Sequence, residues 1–258
     1  MIPLKDQELI RQKFAQELTG PVKIDFFTER ELALAVPGRK PCAYCKPTRE
    51  MLQELAGLSD HISLRVHILD ENGEEKRKFG IERIPATVLR GHGPAFFKYY
   101  GLPGGTEFPA FVESIVDISR SETLLSENSV KELRKLKDDV TVRVFVTPTC
   151  PYCPQMARAA YQLALTNPRV KAEVIEINEF PELADRHGVR AVPLTVINDR
   201  IAIPGAVHES VLVEQVLKAA ESAVAEPTQP SGPTTAATRE PLQPVQRGQQ
   251  RDSGLFIP

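Results

Sequence analysis

The chain has 258 residues with 32 basic and 34 acidic side chains, a formal charge of −2. That length accommodates one large domain or two ordinary ones of roughly 100–150 residues, and near-neutral charge removes the strongest reason to expect nucleic acid or an anionic membrane as partner. No run reaches the roughly 18–20 apolar residues that cross a bilayer, and the first ten residues carry Lys5, Asp6 and Glu8 where a secretory signal needs an apolar stretch, so a cytoplasmic protein is expected.

Asp6 to Leu18 reads as an opening helix with Ile10, Phe14 and Leu18 on one face. Val22 to Phe27 is a short apolar strand, followed by a loop, a Cys-x-x-Cys and a helix whose Met51, Leu52 and Leu55 recur at helical spacing. Ile62, Leu64, Val66 and Ile68 alternate, which predicts a strand with that face buried. Lys76 to Gly80 reads as a short helix closed by glycine, Ile84 to Leu89 as a loop entering a strand, and Phe96 to Tyr100 as the next strand. Phe108, Phe111, Val112, Ile115 and Val116 form the stripe of a closing helix.

Ser119 to Asp139 connects to a second run of elements, and Ser129-Val130-Lys131-Glu132 fits a helix-starting capping box. The strand Val142–Val146, a Cys-x-x-Cys with its helix, the strand Val170–Ile177, a hairpin at Leu194–Ile197 and Arg200–Ile203, and a helix over Val211–Val224 follow. From Pro227 the chain is rich in Pro, Gln, Thr, Ser and Gly and offers too little apolar surface to offset the entropy of ordering it. The expected organisation is α/β: two domains, 1–119 and 120–225, each a mixed β-sheet flanked by helices, and a disordered tail over 226–258.

The two runs are copies. All four cysteines lie in Cys42-Ala43-Tyr44-Cys45 and Cys150-Pro151-Tyr152-Cys153, 108 residues apart (150 − 42). The same offset places Gly80 on Gly188, Pro85 on Pro193, Thr87 on Thr195 and Val88 on Val196 without a gap. A shared Cys-x-Tyr-Cys followed at fixed distance by Gly-Ile/Val-x-x-Ile/Val-Pro-x-Thr-Val marks an internal repeat.

In a reducing compartment such pairs point to redox chemistry or metal binding. The thiolate is the nucleophile, and a free cysteine near pKa 8.5 is mostly protonated at neutral pH. A first cysteine that begins a helix sits among unpaired N–H groups at the positive end of the dipole, which favours ionisation. Cys42 and Cys150 are therefore the expected nucleophiles, and Cys45 and Cys153, one turn on, the resolving thiols. Arg39, Lys40 and Lys46 would assist the first site; the second has no comparable basic neighbours. Tyr44 and Tyr152, beside the sulfurs, serve either as surface packing or as substrate contacts. Pro85 and Pro193 enter strands at the same distance from the cysteines. Trans is the common state of such a bond, but the repeat points to a cis bond facing the sulfur, with the backbones of Ile84 and Val192 open to an incoming peptide strand. Glu176 takes the place of Ile68 in the second copy; a solvent-facing position is expected, a buried proton acceptor being the alternative.

A tetrahedral zinc site built from both pairs is the competing chemistry, but 104 residues separate Cys45 from Cys150, against roughly 15–20 in common zinc modules. The five histidines show no ligand spacing and read as surface or packing residues. No Gly-x-Gly-x-x-Gly occurs, so no built-in flavin or nucleotide is expected, and electrons must come from another protein or a small thiol.

Cys150-Pro151-Tyr152-Cys153 within Phe145–Thr149 resembles a glutaredoxin active site. Together with the tandem arrangement and the stretch Tyr99-Tyr100-Gly101-Leu102-Pro103-Gly104-Gly105 through Phe108 and Phe111–Arg120, it resembles the glutaredoxin-like protein disulfide oxidoreductases of thermophilic archaea and bacteria, over roughly residues 1–225. The resemblance implies two fused thioredoxin-like folds, each with a dithiol and a cis-proline (Pro85 and Pro193). It also implies dithiol–disulfide exchange on protein substrates and a thioredoxin-reductase-like flavoprotein as donor, with no cofactor beyond the redox-active disulfides. The loop Thr28–Pro41 is longer than the family pattern, and the tail departs from it. The expected activity is that of a protein disulfide oxidoreductase. Reduction of a peroxiredoxin is a narrower alternative, and a zinc-stabilised non-catalytic scaffold is an alternative of another class.

Overall fold

A computed structural model describes residues 2–30, 41–69 and 73–221. The expected disordered tail, and Arg39 and Lys40 beside the first dithiol, lie outside the described residues. The first half runs α1 (Leu4–Glu17), β1 (Val22–Thr28), α2 (Cys45–Ala56), β2 (Ile62–Ile68), α3 (Gly73–Phe79), β3 (Ala86–Arg90), β4 (Phe96–Tyr100) and α4 (Glu107–Arg120). The second repeats that order with α5 (Glu127–Leu133), β5 (Val140–Val146), α6 (Cys153–Thr166), β6 (Val170–Glu176), α7 (Pro181–Arg186), β7 (Leu194–Ile197), β8 (Ile201–Pro204) and α8 (Glu209–Glu221). Gly80 and Gly188 close α3 and α7 at φ 61°, a left-handed conformation that glycine adopts without a Cβ penalty.

The halves share one eight-stranded sheet, in the order β2-β1-β3-β4-β6-β5-β7-β8, and residues Met1–Ala225 form one compact unit. The join is the parallel pair β4–β6, in which Lys98 stands opposite Glu173. Both are buried, and Lys98 Nζ lies 2.5 Å from Glu173 Oε1 while Arg143 Nε donates to Glu173 Oε2 at 2.8 Å. A charge at this depth is tolerated only when paired, so the ion pair fixes the register of the join. It also covers two strand edges that separate domains would leave open. Across the seam Phe97 stacks on Tyr161 with ring centroids 4.4 Å apart.

The apolar faces of α1, α2, α4, α5, α6 and α8 cover one side of the sheet, with Phe14, Phe26, Leu52, Phe97, Phe111 and Val144 inside. The shorter α3 and α7 cover the other over Phe27, Phe79, Phe145 and Leu183.

Two local expectations are corrected. Ser126 caps α5, its hydroxyl accepting from the Ser129 N–H, so Ser129 lies inside the helix and starts nothing. In β2 the exposed and buried positions depart from the alternation: Val66 is 40 % exposed and His67 is buried. β2 is an edge strand, and the imidazole of His67 is drawn inward by the Asp25 carboxylate at 2.8 Å and by stacking on Phe27.

Candidate active site

The two Cys-x-x-Cys units follow β1 and β5, and each pair is closed as a disulfide with its Cα atoms 5.4 and 5.5 Å apart. The helices begin one turn later than the spacing suggested: Cys45 and Cys153 are the first helical residues, with Tyr44 and Tyr152 as N-caps. The leading cysteine thus sits in the turn before the helix and not within it. The electrostatic consequence is kept at the second site, where the Cys153 N–H, a free donor of the first turn, points at Cys150 Sγ at 3.1 Å. Tyr44 and Tyr152 are 42 and 64 % exposed, so both aromatic faces stand on the surface beside the sulfurs.

Ile84-Pro85 and Val192-Pro193 are both cis. Phe27 pairs with Ala86, and Phe145 with Leu194. Each proline therefore enters its strand at the end of the sheet from which the cysteine loop leaves. Both prolines are buried, while Ile84 and Val192 are half-buried. The proline carbonyls are taken up by Gly101 and Gly205 N–H groups at 2.9 and 2.8 Å.

The surroundings of the two dithiols differ. In the first, the Cys42 N–H donates to Glu29 Oε1 at 2.6 Å, and Lys46 is exposed and leans toward Glu50 at 3.9 Å. In the second, the first half closes over the site. Gly105, at φ 57°, passes so near the cysteine loop that a Cβ would stand 2.2 Å from the Pro148 carbonyl; only glycine fits. Thr106, the next residue, bonds the same loop, and Cys150 is 6 % exposed where Cys42 is half-buried. Beside the start of α6, Thr106, Leu124, Pro154, Val207 and His208 line a groove.

Buried acids gather at the same end of the seam. Glu107 shares a small closed cavity with Tyr99, Ser114, Ala157 and Tyr161. Ala157 is one turn beyond Cys153 on the same face of α6, so the carboxyl lies toward the inner side of the dithiol helix. Glu107 Oε1 and the Tyr99 hydroxyl have no hydrogen-bond partner, and burial pushes the Glu107 carboxyl up to about 7. Glu176, expected to face solvent, is instead 2 % exposed. It ends β6 where the join to β4 covers it, and Asn178 and Glu179 N–H groups satisfy its oxygens. Burial raises its pKa against those bonds. Glu179 accepts from the Leu102 N–H at 2.7 Å and is pushed up to about 7, first by burial and further by Glu176.

Glu107, Thr106, Glu29 and Glu179 carry no signal of this kind in the sequence. Thr-Glu before an apolar stripe looks like an ordinary exposed helix start, and only the packing of one half on the other buries it. Among the described residues no three His, Cys, Asp or Glu side chains converge as a metal site, so the four sulfurs do not assemble the tetrahedral centre of the zinc alternative. No helix among them is long and apolar enough to cross a membrane.

Fold and site together define a thioredoxin-fold protein with two dithiol centres. A thioredoxin-domain family model matches residues 140–218, and a thioredoxin of Methanocaldococcus jannaschii is 36 % identical over 80 residues, 31 % of this chain and 94 % of that protein. The chain belongs to the thioredoxin family. The crystal structure of a protein disulfide oxidoreductase from Aeropyrum pernix K1 is similar over 85 % of this chain and 94 % of that one, with 27 % identity and a TM-score of 0.75. An alkyl hydroperoxide reductase of Xanthomonas campestris pv. phaseoli is 26 % identical over 153 residues; the match spans 59 % of this chain but only 27 % of that protein.

Proposed function

We propose that this chain is a thiol–disulfide oxidoreductase of protein substrates working through Cys42/Cys45 and Cys150/Cys153. The observation that carries the reading is the repeated placement of a closed Cys-x-x-Cys beside an X-Pro strand entry at one end of each half-sheet. In the reducing direction the Cys150 thiolate attacks a substrate disulfide, forming a mixed disulfide and releasing one substrate sulfur as thiolate, which takes up a proton. Cys153 passes its proton to the Glu107 carboxylate and attacks Cys150 Sγ, which closes the Cys150–Cys153 disulfide and releases the second substrate thiolate. The substrate gains two electrons and two protons, and the dithiol loses them. Cys42 and Cys45 take the same parts in the first half. An extended substrate segment pairs with the Ile84 and Val192 backbones and packs on Tyr44 and Tyr152. The similarity to the protein disulfide oxidoreductase of Aeropyrum pernix supports this substrate class.

Electrons return from outside the chain, and we assign that step to a thioredoxin-reductase-like flavoprotein, the donor that the family resemblance implies. Insulin reduction by the dithiothreitol-primed protein tests the reading: turnover well above the dithiothreitol blank is expected. A blank-level rate, with neither pair equilibrating with dithiothreitol, overturns it.

The similarity to the alkyl hydroperoxide reductase favours a second reading, in which the acceptor is a peroxiredoxin. Hydroperoxide consumption with a peroxiredoxin present separates the two, since a general protein disulfide reductase that cannot engage the peroxidase leaves that rate unchanged.

A further inference from the structure

Thr106 is the N-cap of α4, a position where a threonine hydroxyl ordinarily accepts from its own helix and contributes about 1 kcal/mol. It makes no such bond. Its Oγ1 lies 2.8 Å from the Cys150 carbonyl and 3.1 Å from the Pro148 carbonyl, and its N–H donates to the Pro148 carbonyl at 2.8 Å. The hydroxyl has one proton to share between two acceptors, so the shorter contact, to Cys150, is the dominant one. Gly105 makes the approach possible, and Cys150 N–H closes the same turn onto the Thr147 carbonyl at 3.2 Å. A residue of the first half thus grips the nucleophile's turn in the second. The corresponding loop of the second half closes on itself, His208 Nδ1 lying 3.0 Å from Ser210 Oγ.

We propose that Thr106 is a positioning residue for Cys150 supplied across the seam. Holding the Cys150 carbonyl fixes the peptide plane that follows it, and so holds the sulfur against the Cys153 N–H that stabilises its ionised form. The second dithiol is set by both halves, whereas no bond from the second half to the Cys42 backbone occurs among the described residues. This rests on the oxidoreductase reading and adds to it an inequality between the sites with a named cause.

The test uses the full chain in two backgrounds, Cys42→Ser/Cys45→Ser, which leaves the second dithiol, and Cys150→Ser/Cys153→Ser, which leaves the first. The pH dependence of iodoacetamide alkylation of the leading thiol and the equilibrium with dithiothreitol are measured in each. If the remaining pair of the unmodified backgrounds neither exchanges with dithiothreitol nor alkylates faster than free cysteine, the oxidoreductase reading falls before Thr106 is touched. Given active backgrounds, Thr106→Val, which keeps the shape and removes the hydroxyl, is expected to slow Cys150 alkylation at pH 7 about five-fold, the scale of one net hydrogen bond. Its alkylation midpoint moves to higher pH. Cys42 is unaffected, and Thr106→Ser restores Cys150. An unchanged Cys150 profile, an equal slowing of Cys42, or failure of serine to restore the rate overturns the proposal; equal slowing reports a loss of fold and not of positioning.

Discussion

Cys150 stands four residues past the end of β5 (146 to 150), in a short turn gripped by Thr106 and backed by Glu107; Cys42 stands fourteen past the end of β1 (28 to 42), with a carboxylate on its own N–H. Both sites descend from one repeated strand–turn–helix, and both meet a cis-proline. The difference lies in what packs around them. A turn held from outside, with an N–H aimed at the sulfur, favours the thiolate. A carboxylate at the neighbouring N–H places negative charge beside the sulfur that must ionise, which opposes it. The repeated motif specifies the chemistry, and the unrepeated neighbours divide the work.

The most damaging test of this division is removal of each nucleophile. Cys150→Ser is expected to lower insulin reduction about 100-fold or more, while Cys42→Ser leaves the larger part of the rate, because covalent exchange has no substitute once its nucleophile is gone. Steady-state rates of the two variants measured side by side check this, and equal losses break the comparison.

Next in size is the buried acid. Glu107→Gln is expected to slow the resolving step about 10–100-fold, the lower part of the range for a positioned proton acceptor. The wild-type rate should rise as pH passes about 7, where the carboxyl loses its proton, and the variant should lack that rise. Stability runs the opposite way. The folded carboxyl holds its proton to higher pH than the unfolded one, so its stabilising contribution is fully present below about pH 4.5 and is lost as pH rises through about 7. Urea unfolding of wild type against Glu107→Gln should therefore show a relative loss of as much as about 3 kcal/mol across that window. A difference that does not change with pH would rule out Glu107 as the titrating group.

Glu29→Gln is expected to quicken alkylation of Cys42 about three-fold by removing a charge, roughly half a pKa unit, with Cys150 unchanged. A slower Cys42 would mean that the carboxylate holds the turn and that its charge is secondary. The smallest effect belongs to the exposed aromatics. Tyr152→Ala should raise KM for insulin roughly two- to three-fold with kcat nearly constant, as expected for a surface stacking contact, and Tyr44→Ala less. A fall in kcat instead would place the ring in the chemistry.

Much of this is legible in the chain. Strict 108-residue spacing reveals the repeat, periodicity places most strands and helices, and the fixed distance from Cys to Pro marks both cis bonds. The departures have physical causes. The alternation Ile62–Ile68 names a face, but whether that face is covered depends on β2 being an edge strand and on Asp25, which is distant in sequence and adjacent in the sheet. Ser129 and Ser126 have similar local signatures, and Glu209, which accepts from the Ser126 N–H and the Ser129 hydroxyl, reaches them from 80 residues and more away. An exposed Glu176 is the natural expectation because carboxylates usually are exposed; the strand that buries it comes from the other half.

Local rules suffice wherever a residue's role follows from its near neighbours: which sulfurs pair, which peptide bonds turn, which segments become strands. Those outcomes are settled within a few residues, or by a spacing that repeats. The joining of β4 to β6 through Lys98 and Glu173, the burial of Glu107 and the reach of Thr106 to Cys150 belong to the tertiary structure alone, since each requires surfaces from both halves to meet. Desolvation and hydrogen-bond geometry depend on what surrounds a group in space, and sequence distance carries no record of it.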